Sequence, residues 1–281
     1  MVLRPELVPT SFSLAAIFAW GTSDFLGGYA SRRTNAFLLT TVVNVGGLLL
    51  MVTLAAASHA PWLSGRCVAW VVAGGISGGT GLAIFYRALS MGKMGLTAPV
   101  AALLGAAIPT MVGIMTEGLP GPVHIVGFLL AGAGLWLISR TEDGTKPEGI
   151  GLAVVAGIGF AGFYLCIRQA GQGSALWIAS FTRIGGLLIT GAIVLLQRNF
   201  RRLTAAGVGW GVLTGCLDST GTMLFVRASQ TGRLDAAVVL TSLYPAITVL
   251  LARVILKEHF TRWKAVGIFA AMLAVPLIAE H

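Results

Sequence analysis

The sequence predicts an all-α integral membrane protein: ten transmembrane helices arranged as two inverted five-helix repeats around a central cavity. Three observations carry this. Of the 281 residues, 56% are apolar and only 10% charged, with a mean hydropathy of +0.86, whereas a soluble domain is about 25% charged. The 38 glycines and 10 prolines suit membrane helices, where both are more frequent than in soluble ones. The apolar residues fall into ten runs, each close to the roughly 20 residues that span the hydrocarbon core. This composition excludes an ordinary cytosolic enzyme, a disordered chain and a disulfide scaffold.

The elements follow in order. The stretch Met1 to Thr10 carries Arg4, Glu6 and two prolines. It lacks a short apolar region with a cleavage site, so the first run, 12–30, reads as a span and not as a signal peptide. Spans follow at 36–57 and 67–88. The fourth, 95–116, contains Pro99 and Pro109, and 123–139 closes the first half. The longest polar stretch, SRTEDGTKPE from Ser139 to Glu148, reads as a linker. Spans resume at 149–170, 176–196 and 206–226, then at 234–256, which contains Pro245, and at 262–279. The predicted organisation is a first five-helix repeat at 1–142, a linker at 143–148 and a second repeat at 149–281.

The two halves repeat one another. An offset of 140 residues pairs Gly75 with Gly215, Thr80 with Thr220, Gly81 with Gly221, Phe85 with Phe225, Arg87 with Arg227, Ala88 with Ala228 and Gly92 with Gly232. Apolar stretches match by chance; Arg, Thr and Gly at one offset do not. Each half holds five spans, an odd number, so the second enters the membrane from the opposite side. Such inverted repeats are a transporter architecture, with the site near the bilayer midplane. The expected motion is a rocking of the two halves about a site lined by spans 1, 2, 4, 6, 7, 8 and 9. Loops after odd-numbered spans hold twelve Lys and Arg; the other loops and the termini hold five. The positive-inside rule then puts both termini outside.

Several motifs resemble EamA-domain proteins of the drug/metabolite transporter (DMT) superfamily. They are Trp20-Gly21-Thr22-Ser23-Asp24-Phe25, Phe85-Tyr86-Arg87-Ala88-Leu89 with Gly92, and Ala98-Pro99. The acidic residues closing the fourth and ninth spans, Glu117 and Glu258, with Gly127 and Gly267 beyond them, fit the same pattern. The resemblance covers both halves. It implies a ten-helix basket with a central cavity that moves small organic metabolites, often outward. It also implies cytoplasmic termini, against the charge count. One departure is Gly118-Leu119-Pro120 after Glu117, where the family usually has a basic residue.

Three charges fall near the middle of spans: Asp24, Arg183 and Asp218. Each costs about 2.5–3.5 kcal/mol on insertion scales, so they must face one another or a wet cavity. One reading is a substrate and proton site, with Arg183 holding an anionic group and an Asp taking an amine or a proton. The other is an Asp–Arg pair that only fixes helix packing. Across the repeat, Asp24 matches Tyr164, Asp218 matches Gly78, and Arg183 matches Asn44 at a slip of one. Trp20 lies four residues before Asp24, on the same helix face, where an aromatic suits a cationic or ring-bearing ligand. Tyr244 precedes Pro245, while Tyr86 reads as an interfacial residue. The expected substrate-binding set is therefore Trp20, Asp24, Asn44, Tyr164, Arg183, Asp218 and Tyr244. Pro99, Pro109 and Pro245 are expected to break the fourth and ninth spans near that site.

Other matches carry no chemistry. Gly157-Ile158-Gly159-Phe160-Ala161-Gly162 fits G-x-G-x-x-G, but it lies inside an apolar span without a preceding strand. Its glycines, like Gly207, Gly211 and Gly215, read as close-packing positions. Gly75-Ile76-Ser77-Gly78 resembles an intramembrane serine protease motif, but no His is placed to activate the Ser. Cys67, Cys166 and Cys216 read as small apolar residues, and no cluster has metal-ligand spacing. The expectation is a transporter and not an enzyme: a multi-pass protein of the plasma (bacterial inner) membrane, acting as a monomer. It needs no cofactor and leaves room for proton coupling. Its partners are the lipid bilayer and a small-molecule metabolite, not nucleic acid. The expected substrate is an amino-acid-like or other zwitterionic or anionic metabolite, moved outward. Efflux of lipophilic cations is the alternative, and an intramembrane enzyme a distant one.

Overall fold

The computed structural model describes residues 7–92, 94–138, 148–197, 204–258 and 261–279. Among them are eleven α-helices and no strand. In chain order they are α1 (Leu7–Ser31), α2 (Ala36–Ala57), α3 (Gly65–Met91), α4 (Met94–Glu117), α5 (Pro122–Ile138), α6 (Ile150–Ala170), α7 (Ala175–Gln197), α8 (Ala205–Thr231), α9 (Leu234–Thr241), α10 (Pro245–Ile255) and α11 (Arg262–Ala279). All but one of the predicted spans coincide with a single helix; the ninth is divided into α9 and α10. The linker expected at 143–148 lies outside the described residues except for Glu148, and so do seven of the basic residues in the charge count: Arg4, Lys93, Arg140, Lys146, Arg198, Arg201 and Arg202.

By length and composition, α2, α3, α4, α6, α7 and the pair α9–α10 are long and apolar enough to cross a membrane, and α5 is a shorter apolar helix. α1 and α8, with 25 and 27 residues, are also long enough. They are the more polar helices because they carry Asp24 and Asp218 among several Ser, Thr and Gly.

α3 and α8 share their boundary chemistry. Ser64 caps α3 by accepting a hydrogen bond from the Cys67 N–H (3.3 Å), and Thr204 caps α8 by accepting from Gly207 N–H (3.1 Å). Gly92 and Gly232 end them, each donating its N–H to the carbonyl of Ala88 or Ala228. Caps of this kind satisfy the end groups that helices leave open. All four positions fall at the 140-residue offset.

The packing has the same pairing. α1 lies on α8 as α6 lies on α3, α2 lies on α8 as α7 lies on α3, α4 lies on α6 as α9 and α10 lie less extensively on α1, and the pairs α2–α7 and α5–α11 close the list. These most extensive seams join the two halves instead of lying within them. The halves therefore interlock and are not separate lobes, so the expected rocking of two five-helix bodies does not fit this packing. At two seams only glycine fits. A Cβ on Gly75 would stand 2.2 Å from the Thr182 carbonyl oxygen, and one on Gly215 would stand 2.1 Å from that of Val43. Small residues allow such backbone approach between membrane helices. The glycines of the rejected dinucleotide motif act likewise, Gly157 against α4 and Gly159 against α3.

Two apolar clusters fill the interior. One gathers Ile17, Val71, Phe163, Ile178, Phe225 and Val238 toward the end where α1 begins. The other gathers Phe25, Leu39, Phe85, Tyr86, Met94 and Ala252 toward the end where α1 finishes. Tyr86 belongs to this second core and is fully buried, not interfacial. Its ring occupies the space beside Gly27, a position that an interfacial phenol could not fill.

Candidate functional site

Between the two apolar clusters lies a half-open cavity with about 560 Å³ of empty space, its open side included. All seven residues expected in the substrate-binding set line it: Trp20, Asp24, Asn44, Tyr164, Arg183, Asp218 and Tyr244. They come from α1, α2, α6, α7, α8 and the junction between α9 and α10, close to mid-length in α1, α6 and α8.

Arg183 and Asp218 form an ion pair between α7 and α8. The other terminal nitrogen of Arg183 donates to Thr222 Oγ1 at 2.8 Å, and that hydroxyl donates in turn to the Asp218 carbonyl at 3.0 Å. Thr222 sits one turn after Asp218, so a single face of α8 offers the guanidinium both acceptors. The pair neutralises itself. Burying either charge alone would be far more costly than burying both together.

Asp24 is different. It is buried at 4% exposure, and among the described residues it has no hydrogen bond or ion pair. The cavity therefore holds one carboxyl group without a protein partner among the described residues. Trp20 donates its indole N–H to the Asp218 carbonyl at 3.1 Å, which pins α1 to α8. Its ring meets Tyr164 and Tyr244 edge-on, each at 6.2 Å between centroids. Those rings, with Phe160 and Phe163 of α6, make one wall aromatic. Asn44 reaches Thr190 Oγ1 of α7 at 3.5 Å.

Residue selection from the sequence missed Phe160, Phe163, Thr182, Thr222, Leu82 and the glycines 75, 78 and 79, all of which line the cavity. Two signals were present. Phe160, Phe163 and Tyr164 share one face by spacing, and Thr222 follows Asp218 by one turn. The fourth span was expected to line the site and the third was not; the structure reverses this. α4 contributes no lining residue, whereas the glycine face of α3 leaves room.

The proline expectations also divide. α4 runs unbroken through Pro99 and Pro109, both buried away from the cavity. Membrane helices tolerate proline because neighbouring groups and small local adjustments satisfy the freed carbonyl. Pro245 does mark a break: it opens α10 after the turn Ser242–Leu243–Tyr244. There the Tyr244 N–H bonds to the Thr241 carbonyl at 3.1 Å, in place of the N–H that Pro245 lacks. Thr248 Oγ1 donates to the Gly21 carbonyl at 3.0 Å, fixing the break against α1. Tyr244 is thereby held over the cavity.

Ser77 of the protease-like motif donates its hydroxyl to the Gly159 carbonyl at 2.9 Å, a packing bond. The three cysteines are unpaired; Cys67 is buried, and Cys166 and Cys216 are half-buried.

Comparison with known proteins places this geometry. Residues 147–279 match the EamA-like transporter family. No curated protein matches significantly. A protein of known crystal structure superposes with a TM-score of 0.73, covering 96% of this chain and 95% of its own at 18% identity. At that identity the likeness is one of fold.

Proposed function

We propose a secondary transporter of small organic metabolites of the EamA/DMT type, working by alternating access. The match of residues 147–279 to the EamA-like transporter family and the apolar helices long enough to cross a membrane support this reading. The inverted five-helix repeat is supported by the shared caps of α3 and α8 and by a packing list that survives exchange of the halves. A site flanked by one apolar core on each side suits alternate opening, since either core can part while the other stays closed.

The observation that carries the substrate reading is the lone carboxylate of Asp24 beside aromatic rings. A carboxylate without a partner at this depth is costly, and a protonated amine or a proton offsets that cost. A zwitterion would place its amine on Asp24 and its carboxylate on Arg183, which must then exchange Asp218 for the ligand. A second reading, organic cations, is favoured by the closed Arg183–Asp218 pair, because it leaves the Asp24 carboxyl to meet a cationic group. Export across the plasma (bacterial inner) membrane by a monomer is part of the proposal; one chain supplies every lining residue.

The test is untargeted metabolite profiling of medium and cells for the native protein, Asp24→Asn, Asp218→Asn and empty vector, at matched membrane expression. An amine-bearing compound enriched outside with the native protein alone is the expected result. Identical profiles in all four, followed by identical uptake of radiolabelled amines, would sink the transporter reading.

A further inference from the structure

We propose that Glu258 is the latch that holds one mouth of the cavity shut; the inference rests on the alternating-access reading and assigns a positioning role to a residue outside the site. The mouth is at the end of the bundle where α1 and α10 finish and α4 begins. Glu258 follows α10, and Lys257 before it adopts φ +54°, a left-handed conformation that a residue with a side chain occupies only at a cost. That turn folds the chain back, so that the Glu258 N–H bonds to the Ala252 carbonyl at 3.3 Å. The carboxylate then faces the start of α4. One oxygen accepts from the Met94 N–H (3.3 Å) and the other from the Gly95 N–H (3.2 Å). The first oxygen also accepts from Arg32, in the turn between α1 and α2, at 3.4 Å. Arg253 of α10 donates to the Glu258 carbonyl at 3.3 Å.

An ordinary helix cap is local in sequence. This one comes from more than 160 residues away and recruits a cation from a third segment. It ties α1, α4 and α10 at one point, directly above the apolar cluster of Phe25, Phe85, Met94 and Ala252. A Cβ on Gly95 would fall 2.5 Å from Lys264 Nζ and 3.5 Å from a Glu258 carboxylate oxygen, so the Lys264 ammonium also reaches the start of α4 beside the latch. Opening this mouth separates α1 from α10 and must break every bond to the carboxylate. The other end has ties of its own: Arg233 pairs with Asp235 and donates to the Gly118 carbonyl at 3.4 Å, 115 residues away, so Glu258 governs one mouth only.

The test places a single cysteine at Leu82, which lines the cavity, in the full chain with Cys67, Cys166 and Cys216 replaced by Ala. Vesicles of both orientations are labelled with a membrane-impermeant maleimide. Glu258→Gln is expected to raise the labelling rate about tenfold from the Glu258 end only, the scale set by losing charge-assisted hydrogen bonds. Arg32→Gln, which leaves α4 capped, is expected to give a smaller rise from the same end and guards against a misfolded first variant. Unchanged rates in both variants, or a rise from both ends alike, would overturn the latch. If the parent protein labels from neither end, the alternating-access reading fails, and the latch with it.

Discussion

At the scale of single residues, the site separates into a charge that is paired and one that is not. Asp218→Asn leaves Arg183 buried without its counter-charge and should cost about 3–5 kcal/mol, read as a lower Tm of the detergent-purified protein. Arg183→Gln combined with Asp218→Asn should recover most of that loss, as a double-mutant cycle measures. Asp24→Asn removes no protein partner. It should keep or raise Tm while abolishing transport of the compound that profiling identifies; a Tm loss as large as that of Asp218→Asn would show a structural role instead. Asp24, Arg183 and Asp218 were legible because charges are rare inside apolar runs and expensive there; Trp20 followed from helix spacing, Asn44 and Tyr164 from the offset between the halves, and Tyr244 from its place before Pro245. Phe160, Thr222 and Gly78 were not, because phenylalanine, threonine and glycine are common in membrane helices. Only the neighbouring helix makes them part of a cavity.

At the scale of elements, equal sequence signals had unequal outcomes. Four prolines stand inside predicted spans, Pro99, Pro109, Pro245 and Pro276, yet only Pro245 divides its helix. A proline states which hydrogen bond is missing, and the surrounding helices decide whether the axis bends around it. Pro245→Ala restores the N–H that could reach the Thr241 carbonyl. It is expected to leave Tm unchanged or higher while slowing transport, because Tyr244 would swing from its position. Glycine gives a second contrast. Gly75→Ala drives a methyl group into the Thr182 carbonyl and should destabilise by about 1–3 kcal/mol or more. Gly151, with nothing within 4 Å of a Cβ, should accept Ala with a gain of roughly 0.5–1 kcal/mol. Thermal unfolding of the pair separates seam glycines from those that merely face outward.

At the scale of the whole molecule, the likeness of α3 to α8 was readable because their caps and closing glycines fall at one offset. The interlocking was not, since partners across a bundle leave no trace in one half alone. Orientation is the remaining expectation. The basic residues described at the Glu258 end, among them Arg32, Arg33, Arg87, Arg262 and Lys264, predict a cytoplasmic location for that end by the positive-inside rule, whereas the resemblance to EamA-domain proteins implies the opposite orientation. A carboxy-terminal alkaline phosphatase fusion is then expected to be active, and a fluorescent GFP fusion in its place would reverse the assignment. The glycine seams have a mechanical consequence. Where α3 meets α7 and α2 meets α8, main chain rests on main chain with no side chain between, so neither pair can slide without collision. These four helices form a stiff truss that crosses from one half to the other. Any change of shape during a cycle then falls on helices outside the truss, so the parts that move are fewer than the parts that match between the halves.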